Sequence, residues 1–385
     1  MQRQKLPYFE GIRGVAALIV VFDHLDFALS LKLDTRIYNL VLQFTGSEII
    51  STIAQSIISF CKNGNLAVFI FFFMSGYVIS IKLFSSESKS YLISAVSKRY
   101  FRLMPPILGS VLIGFLLMKF DLIYNIKLAQ VLNTESTLGY FYNFYPSFLS
   151  AFKSGIWNVL FTTSLGGYNG PLWTMRPEFY GSLFCFLLFI LLNKVKIKYY
   201  IYIPIVFFFF LTEISWISSF TLGFLFCDIE HSLNKEHAYF SFFKHPLFSN
   251  KVFPIILSLF LIITLPLIGI GTWINPNVIL SFLLVFIVIK WGFLQKIFQL
   301  KPMLWLGKIS FSIYLLHWPI ICSFTSYIYL YTKVSRPLNI IFSSSLTLIV
   351  IFIISSLYTK YIDQKSIVLA RKIGNLTNKL INKSN

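Results

Sequence analysis

Two ionisable residues share one face of the first apolar segment. Arg13 and His24 stand eleven positions apart, which at about 100° per residue brings them within roughly 20° of three whole helical turns, about 16 Å along the axis. A buried charge is costly in a membrane, and imidazole is the side chain that exchanges a proton near neutral pH. The spacing therefore indicates a proton-transfer site at His24. The structural alternative is an interfacial arginine and a histidine that caps a neighbouring carbonyl.

A carboxylate is the natural partner for such a histidine, but no acid stands three or four positions from His24 on its own helix. The segment GPLWTMRPEFYGSLFC supplies a candidate, because one stripe of helical spacing contains Thr174, Glu178, Ser182 and Cys185. Counted from the outer face, Glu178 lies about as deep as His24, and it could fix the imidazole tautomer. The alternative is a structural salt bridge to Arg176 or Arg13.

A second histidine lies in the late segment WLGKISFSIYLLHWPI. Ser310, Tyr314 and His317 share a helix face there, and Pro319 frees the backbone carbonyl of Leu315 beside the histidine. We interpret His317 as functional or as a substrate contact, and the alternative is a packing role.

A cationic motif stands in the segment KRYFRLMPP, where Arg99 and Arg102 are one turn apart with Lys98 adjacent. Paired guanidinium groups suit phosphate or pyrophosphate, whereas a topology signal needs only positive charge. Phosphate binding on the cytoplasmic side is therefore the functional interpretation of this pair.

The elements that position these residues are long apolar segments. Of the 385 residues, 56% are hydrophobic and only 12% charged, and the mean hydropathy is +0.74. A soluble domain of this composition could not cover its surface. The apolar blocks are long enough to cross about 30 Å of hydrocarbon. We predict an all-α fold: a polytopic transmembrane bundle of about ten helices with both termini cytoplasmic.

The predicted spans alternate with short polar or basic stretches. Their expected positions are about 12–31, 64–82, from Pro105, from Leu172, the two arms of a hairpin around 212–216, 253–270, 278–294, 304–330 and 338–359. Residues 1–360 then form the integral membrane domain and residues 361–385 a basic cytoplasmic tail. Four cysteines without paired spacing predict neither a disulfide framework nor a metal site.

The formal net charge of +19 would suit a nucleic-acid partner if it were unexplained. With a cytoplasmic N-terminus, however, most of the 33 lysines and arginines fall on the cytoplasmic side or at helix ends there. This asymmetry is the positive-inside rule of membrane proteins. No charge excess remains that would call for nucleic acid.

Taken in order, five segments resemble the acyltransferase 3 family of integral membrane acyltransferases. They are YFEGIRGVAALIVVFDH, FFFMSG, RYFRLMPP, PLWTMRPEFYGS and LGKISFSIYLLHWPI. Two departures stand out: Glu10 where aspartate is usual, and Arg176 with Pro177 before Glu178, where small or apolar residues are commoner.

The resemblance implies roles for the matching residues. It implies a catalytic His24 assisted by Glu178 and Arg13, with Arg99, Arg102 and Arg13 holding the phosphates of the donor. Substrate contacts are expected from Ser310, Tyr314, His317 and Trp173. Phe73, Ser75 and Gly76 match the motif of the second helix.

The resemblance also implies transfer of an acyl group, in the first instance acetyl, from cytoplasmic acyl-coenzyme A to a hydroxyl of a surface or lipid-linked glycan such as an exopolysaccharide or lipopolysaccharide O-antigen. Acetyl-coenzyme A or another acyl-coenzyme A is then a co-substrate, and no cofactor or metal is bound permanently. The expected location is the bacterial inner membrane, with membrane lipid, the glycan and polysaccharide assembly proteins as partners. The main alternative is a transporter or flippase of a lipid-linked glycan, in which the buried charges line a path without covalent chemistry. A glycan polymerase is less favoured, because the loop at 120–170 holds only two acids, Asp121 and Glu135.

Overall fold

The computed structural model describes residues 6–86, 89–162, 167–195, 197–233 and 275–384. Within these ranges the chain is helical and contains no strand. The helices are α1 Pro7–Ala28, α2 Leu33–Thr45, α3 Glu48–Cys61, α4 Gly64–Ser86, α5 Lys89–Lys119, α6 Asn125–Leu132, α7 Phe148–Lys153, α8 Val159–Phe161, α9 Met175–Leu192, α10 Lys198–Phe210, α11 Trp216–Leu233, α12 Asn277–Lys290, α13 Gly292–Phe298, α14 Lys301–Ile320, α15 Ser326–Tyr331, α16 Arg336–Tyr358 and α17 Gln364–Ser384. Short 3₁₀ turns (Leu138–Tyr140, Gly170–Thr174) and π turns (Ser154–Asn158, Ile321–Thr325, Thr359–Asp363) join some of them.

The membrane-spanning segments confirm an all-α polytopic protein. Five helical segments are long and apolar enough to cross a bilayer, and there are up to seven if each of two bent pairs counts as one span. The bent pairs are α1 with α2, at 79°, and α12 with α13, at 99°. The described residues therefore do not confirm the expected count of about ten. The span expected at 253–270 lies outside them.

The third predicted span begins earlier than expected. We expected a helix from Pro105, but α5 begins at Lys89 and contains both Pro105 and Pro106. A proline leaves the carbonyl four residues earlier without its helical donor. Here Ser366 Oγ donates to that carbonyl of Arg102 at 3.3 Å. This contact replaces part of the bond lost at Pro106, because the Ser366 hydroxyl also donates to the carbonyl of Asp363 at 2.7 Å, and the helix continues through both prolines.

Helices α1 and α14 run parallel in close contact because glycines line their interface. Gly14 faces the backbone of Gly307, and Gly307 faces the carbonyl of Glu10. A side chain at either glycine would collide with backbone atoms of the partner helix. Since both helices rise in the same direction from this contact, residues about ten positions further along each helix also meet.

Helix α4 packs antiparallel to α1. The ring of Phe9 contacts that of Tyr77 at 5.2 Å, and Gly64 packs against the carboxylate of Asp23. The start of α4 therefore lies beside the end of α1, and residues further along α4 lie beside earlier residues of α1.

An ion cluster holds α1, α2 and the end of α3 together. Lys62 Nζ lies 2.6 Å from Asp26 Oδ2 and 3.1 Å from Asp34 Oδ1. Burial lowers the pKa of Lys62, but its hydrogen bonds to the two carboxylates outweigh this effect and raise the pKa above its usual value.

The predicted basic tail is a helix. Helix α17 continues from α16 through a π turn and packs along α5, where Ser94 Oγ donates to the carbonyl of Gly374 at 3.0 Å.

Candidate active site

Two histidines meet near the C-terminal ends of α1 and α14. His24 Nδ1 lies 2.9 Å from His317 Nε2, and the two rings stack with centroids 4.9 Å apart. His317 is fully buried, whereas His24 is half-buried. The parallel packing at Gly14 and Gly307 sets this pair, because each histidine stands ten residues beyond its glycine.

The hydrogen bonds of the pair determine which nitrogen carries each proton. His317 Nδ1 lies 3.0 Å from the carbonyl oxygen of Ile313, which can only accept, so His317 carries its proton on Nδ1. In neutral His317, Nε2 then has a lone pair and accepts from Nδ1–H of His24. His24 is left with an unprotonated Nε2. Among the described residues no side chain bonds this nitrogen, so it is free to take a proton from a substrate.

Aromatic and amide groups enclose the pair. The indole of Trp318 lies 5.1 Å from the ring of His24, and its Nε1 is buried without a hydrogen-bond partner. The carbonyl of Leu315, which Pro319 frees, accepts a hydrogen bond from Asn169 Nδ2 at 2.7 Å. The sequence predicted the freed carbonyl, and the structure supplies its donor.

The side chain of Tyr314 packs beside His317. Its hydroxyl lies 2.8 Å from the carbonyl oxygen of Pro171 and 2.7 Å from Thr174 Oγ1, and its ring is 5.7 Å from that of His317. The hydroxyl is therefore engaged by the 3₁₀ turn that precedes α9. This places Tyr314 as a positioning residue for His317.

Glu178 does not pair with His24, which corrects the expectation. Its Oε1 lies 2.7 Å from a guanidinium nitrogen of Arg99 and accepts a hydrogen bond from Ser75 Oγ at 2.9 Å. Ser75 stands eleven residues beyond Gly64 on α4, about 16 Å deeper than the level of His24. The structural alternative also named the wrong partner, because the salt bridge is with Arg99 and not with Arg176 or Arg13.

Arg102 lies near Arg99 but has a different partner. Its guanidinium is 2.5 Å from Asp363 Oδ1 and 3.0 Å from Ser366 Oγ. Arg13, which is exposed, and Arg99 both lie close enough to act on Arg102 electrostatically. Among the described residues Arg13 has no ion pair. Three guanidinium groups and two carboxylates thus form a cluster with net positive charge.

Two expected substrate contacts lie elsewhere. Ser310 Oγ donates to the carbonyl of Gly307 in its own helix at 2.8 Å. Trp173 is exposed, in the 3₁₀ turn before α9, on a groove that also contains Arg176. The structure therefore brings His24, His317 and Tyr314 together and leaves Ser310 and Trp173 apart from them.

The sequence interpretation missed Asp363, Asn169 and Trp318. Asp363 stands among the basic residues of the C-terminal part, and an isolated acid in such a setting is a signal for a cationic partner. The carbonyl freed by Pro319 predicts a nearby donor, but only the structure names Asn169.

Comparison with protein families identifies the family of the chain. A family model described as an acyltransferase domain matches residues 6–356, which include the histidine pair and the arginine cluster. The chain belongs to the acyltransferase 3 family. No curated protein and no solved structure matches it. As a member of the acyltransferase 3 family with several apolar spans, the protein is an integral membrane acyltransferase. Asp363, the partner of Arg102, lies just beyond the matched residues.

Proposed function

We propose that the protein is an O-acyltransferase of the bacterial inner membrane that moves an acyl group, in the first instance acetyl, from acyl-coenzyme A to a glycan hydroxyl. The observation that carries this proposal is the free Nε2 of His24, whose Nδ1–H is held by His317. A neutral imidazole with a fixed tautomer is a competent general base.

In direct transfer, His24 Nε2 takes the proton of the acceptor hydroxyl while its oxygen attacks the thioester carbonyl. The C–O bond forms, the C–S bond breaks, and the thiolate of coenzyme A takes the proton back from His24. The products are an ester and free coenzyme A. His317 holds the His24 ring in place. Because the ring of His317 is neutral, it stabilises the imidazolium of His24 only by accepting the hydrogen bond from Nδ1–H.

In covalent transfer, His24 Nε2 attacks the thioester carbonyl, the C–S bond breaks, and coenzyme A leaves as its thiolate. The acceptor hydroxyl then attacks the acyl carbon, the C–N bond to the ring breaks, and the hydroxyl proton passes to the thiolate of coenzyme A. Both routes need the same nitrogen unprotonated, and both regenerate neutral His24. The hydrogen bond to His317 supports either route.

The arginine cluster is the proposed site for the phosphates of the donor. Arg99 and Arg102 are restrained by Glu178 and Asp363, so their planar guanidinium groups are preorganised to bind phosphate oxygens. The long arm of acyl-coenzyme A would reach from this cluster along α1 toward His24. The site for the donor phosphates is then separated from the acceptor site by the depth of the bundle.

The decisive experiment measures transfer of labelled acetyl from acetyl-coenzyme A into extracted surface glycan by membranes that contain the wild type or His24→Ala. Loss of a general base costs about 10² to 10⁴ in rate, so we expect label in the wild type and almost none in the variant. The control is His231→Ala, a histidine in α11 that stacks on Phe84 far from the pair.

Equal labelling by wild type and His24→Ala, with both inserted at the same level, would remove His24 from the mechanism. No label with several acyl donors, despite correct insertion, would favour transport of a lipid-linked glycan. Co-purification with polysaccharide assembly proteins would support the proposed role in surface glycan synthesis.

A further inference from the structure

A groove runs along an exposed side of α9, apart from the histidine pair. Its volume is about 980 Å³, and its lining includes Asn169, Trp173, Arg176, Tyr180, Phe184 and Leu187. These positions follow helical spacing of three and four along one face of α9 and the turn before it. Trp173, Tyr180 and Leu187 are exposed, so the groove is open to the side.

The groove has a polar mouth and an apolar shaft. Arg176 lies in the first turn of α9, opposite Glu213 and Trp216 of the hairpin between α10 and α11. Below Arg176 the lining of α9 is aromatic and aliphatic. Eleven residues separate Arg176 from Leu187, about 16 Å of helix, which matches half of a hydrocarbon core about 30 Å thick.

Arg176 is a cation that shares the groove with the acid Glu213 but lies in no ion pair among the described residues. Its guanidinium lies 5.8 Å from the ring centroid of Tyr180. The positive end of the α9 macrodipole lies at the same point. Arg176 is partly exposed to the groove, and its guanidinium matches the geometry of a phosphate group.

The groove also reaches toward the catalytic histidines. Asn169 lines it and bonds the carbonyl of Leu315, two residues before His317. Its neighbour Gly170 packs against Trp318, which in turn contacts His24. The wall between the groove mouth and the proposed base is therefore one layer of side chains thick.

We propose that this groove binds the lipid of the acceptor: a phosphate-bearing lipid whose phosphate contacts Arg176 and whose chain lies along Tyr180, Phe184 and Leu187. The glycan carried on that phosphate would then stand beside Trp318 and His24. The acceptor role rests on the proposed function, whereas lipid binding itself does not.

The test uses Trp173 and Trp216 as reporters at the groove mouth. Full-length protein in phosphatidylcholine nanodiscs is titrated with phosphatidic acid brominated near the head of its chains, and in parallel with phosphatidylcholine brominated at the same carbons. Both lipids carry the same tail, so any difference in quenching of tryptophan fluorescence reports the anionic head. We expect phosphatidic acid to quench saturably and at several-fold lower mole fraction.

Variants assign the effect to the groove. Trp173→Phe combined with Trp216→Phe should remove the additional quenching. Arg176→Gln should reduce phosphatidic acid to the level of phosphatidylcholine, whereas Arg176→Lys, which keeps the charge, should retain part of the preference. Glu213→Gln should strengthen it. The matched control is Arg336→Gln, at the start of α16 and away from the groove.

Equal quenching by the two wild-type titrations would overturn the proposal and leave the groove to bulk lipid. So would a preference that persists in Arg176→Gln or in the double tryptophan variant. Because no acyl donor is present, loss of lipid binding and loss of acyl transfer are observed separately.

Discussion

At the residue scale, the bond from His24 to His317 decides which imidazole nitrogen can act as a base. The side-chain amide of glutamine reaches about the position that Nε2 occupies in histidine. In His317→Gln the amide oxygen can therefore still accept a hydrogen bond from Nδ1–H of His24. His317→Leu has similar volume but cannot accept. We expect His317→Leu to lower kcat by about 100-fold or more, as loss of the correct tautomer does in catalytic triads, and His317→Gln to retain much more activity.

The measurement is kcat and KM for acetyl-coenzyme A at matched expression. A role in packing alone predicts equal losses for the two variants, or a loss confined to protein yield. Rescue by glutamine separates the positioning role of His317 from a structural one.

A second residue-scale prediction concerns the ion pair between Glu178 and Arg99, whose side chains are only 15% and 18% exposed. Removing one partner from a buried pair leaves an uncompensated charge, which costs about 3 kcal/mol or more. We expect Glu178→Gln and Arg99→Gln each to lower the free energy of unfolding by about that amount, and the double variant to lose less than their sum.

Thermal unfolding in detergent measures all four members of this cycle, and a coupling energy of about 1 to 3 kcal/mol is expected for residues in contact. Glu48→Gln is the control, because Glu48 is an exposed acid on α3. Additive losses would mean that the pair contributes nothing as a pair.

How far the site could be predicted differs between residues. The cost of burying a charge identified His24 and His317 separately, but their contact depends on the register between two helices, which one sequence does not contain. The depth of Glu178 was counted from an assumed outer boundary. Its position is in fact fixed by Ser75 and Arg99 on two other helices, and no spacing within α9 reports that.

At the element scale, the glycine contact between α1 and α14 sets the position of one helix along the other and therefore the position of His24 relative to His317. Gly14→Ala or Gly307→Ala would place a Cβ against the backbone of the partner helix. Overpacking of this kind costs about 1 to 3 kcal/mol, and displacement of reacting groups by about 1 Å can cost 100-fold in rate. We expect both variants to insert and to lose most of their transfer activity.

The control for these variants is Gly292→Ala, because a Cβ at Gly292 meets no atom within 4 Å. We therefore expect Gly292→Ala to cause no loss of transfer activity. The labelled-acetyl assay compares the three variants, and equal activity in all of them would show that the glycine contact does not position the histidine pair.

Elements themselves were predictable where apolar length decides them, as for α4 and α16. The start of α5 was not, because the helix passes through Pro105 and Pro106 with the help of Ser366. That donor lies far along the chain. Local rules for proline describe an isolated helix, whereas a bundle can replace the missing hydrogen bond.

At the scale of the whole molecule, the proposed donor and acceptor sites must face opposite sides of the membrane. Cys61 tests this arrangement, since it is exposed at the end of α3 whereas Cys185, Cys227 and Cys322 are buried. With a cytoplasmic N-terminus, α1 ends outside and Cys61 follows on that side. We expect a membrane-impermeant maleimide to label intact cells at Cys61, and Cys61→Ser to remove the label.

The opposite face needs its own reporter. Ser85 is exposed near the other end of α4, so Ser85→Cys in a Cys61→Ser background should be labelled only after permeabilisation. This result would place Arg99 and Arg102 toward the cytoplasm, where acyl-coenzyme A is made, and the histidine pair toward the outer face. Labelling of Ser85→Cys in intact cells would show that the protein has the opposite orientation in the membrane. The arginine cluster would then face away from its donor, and the proposed path of the acyl group along α1 would have no source.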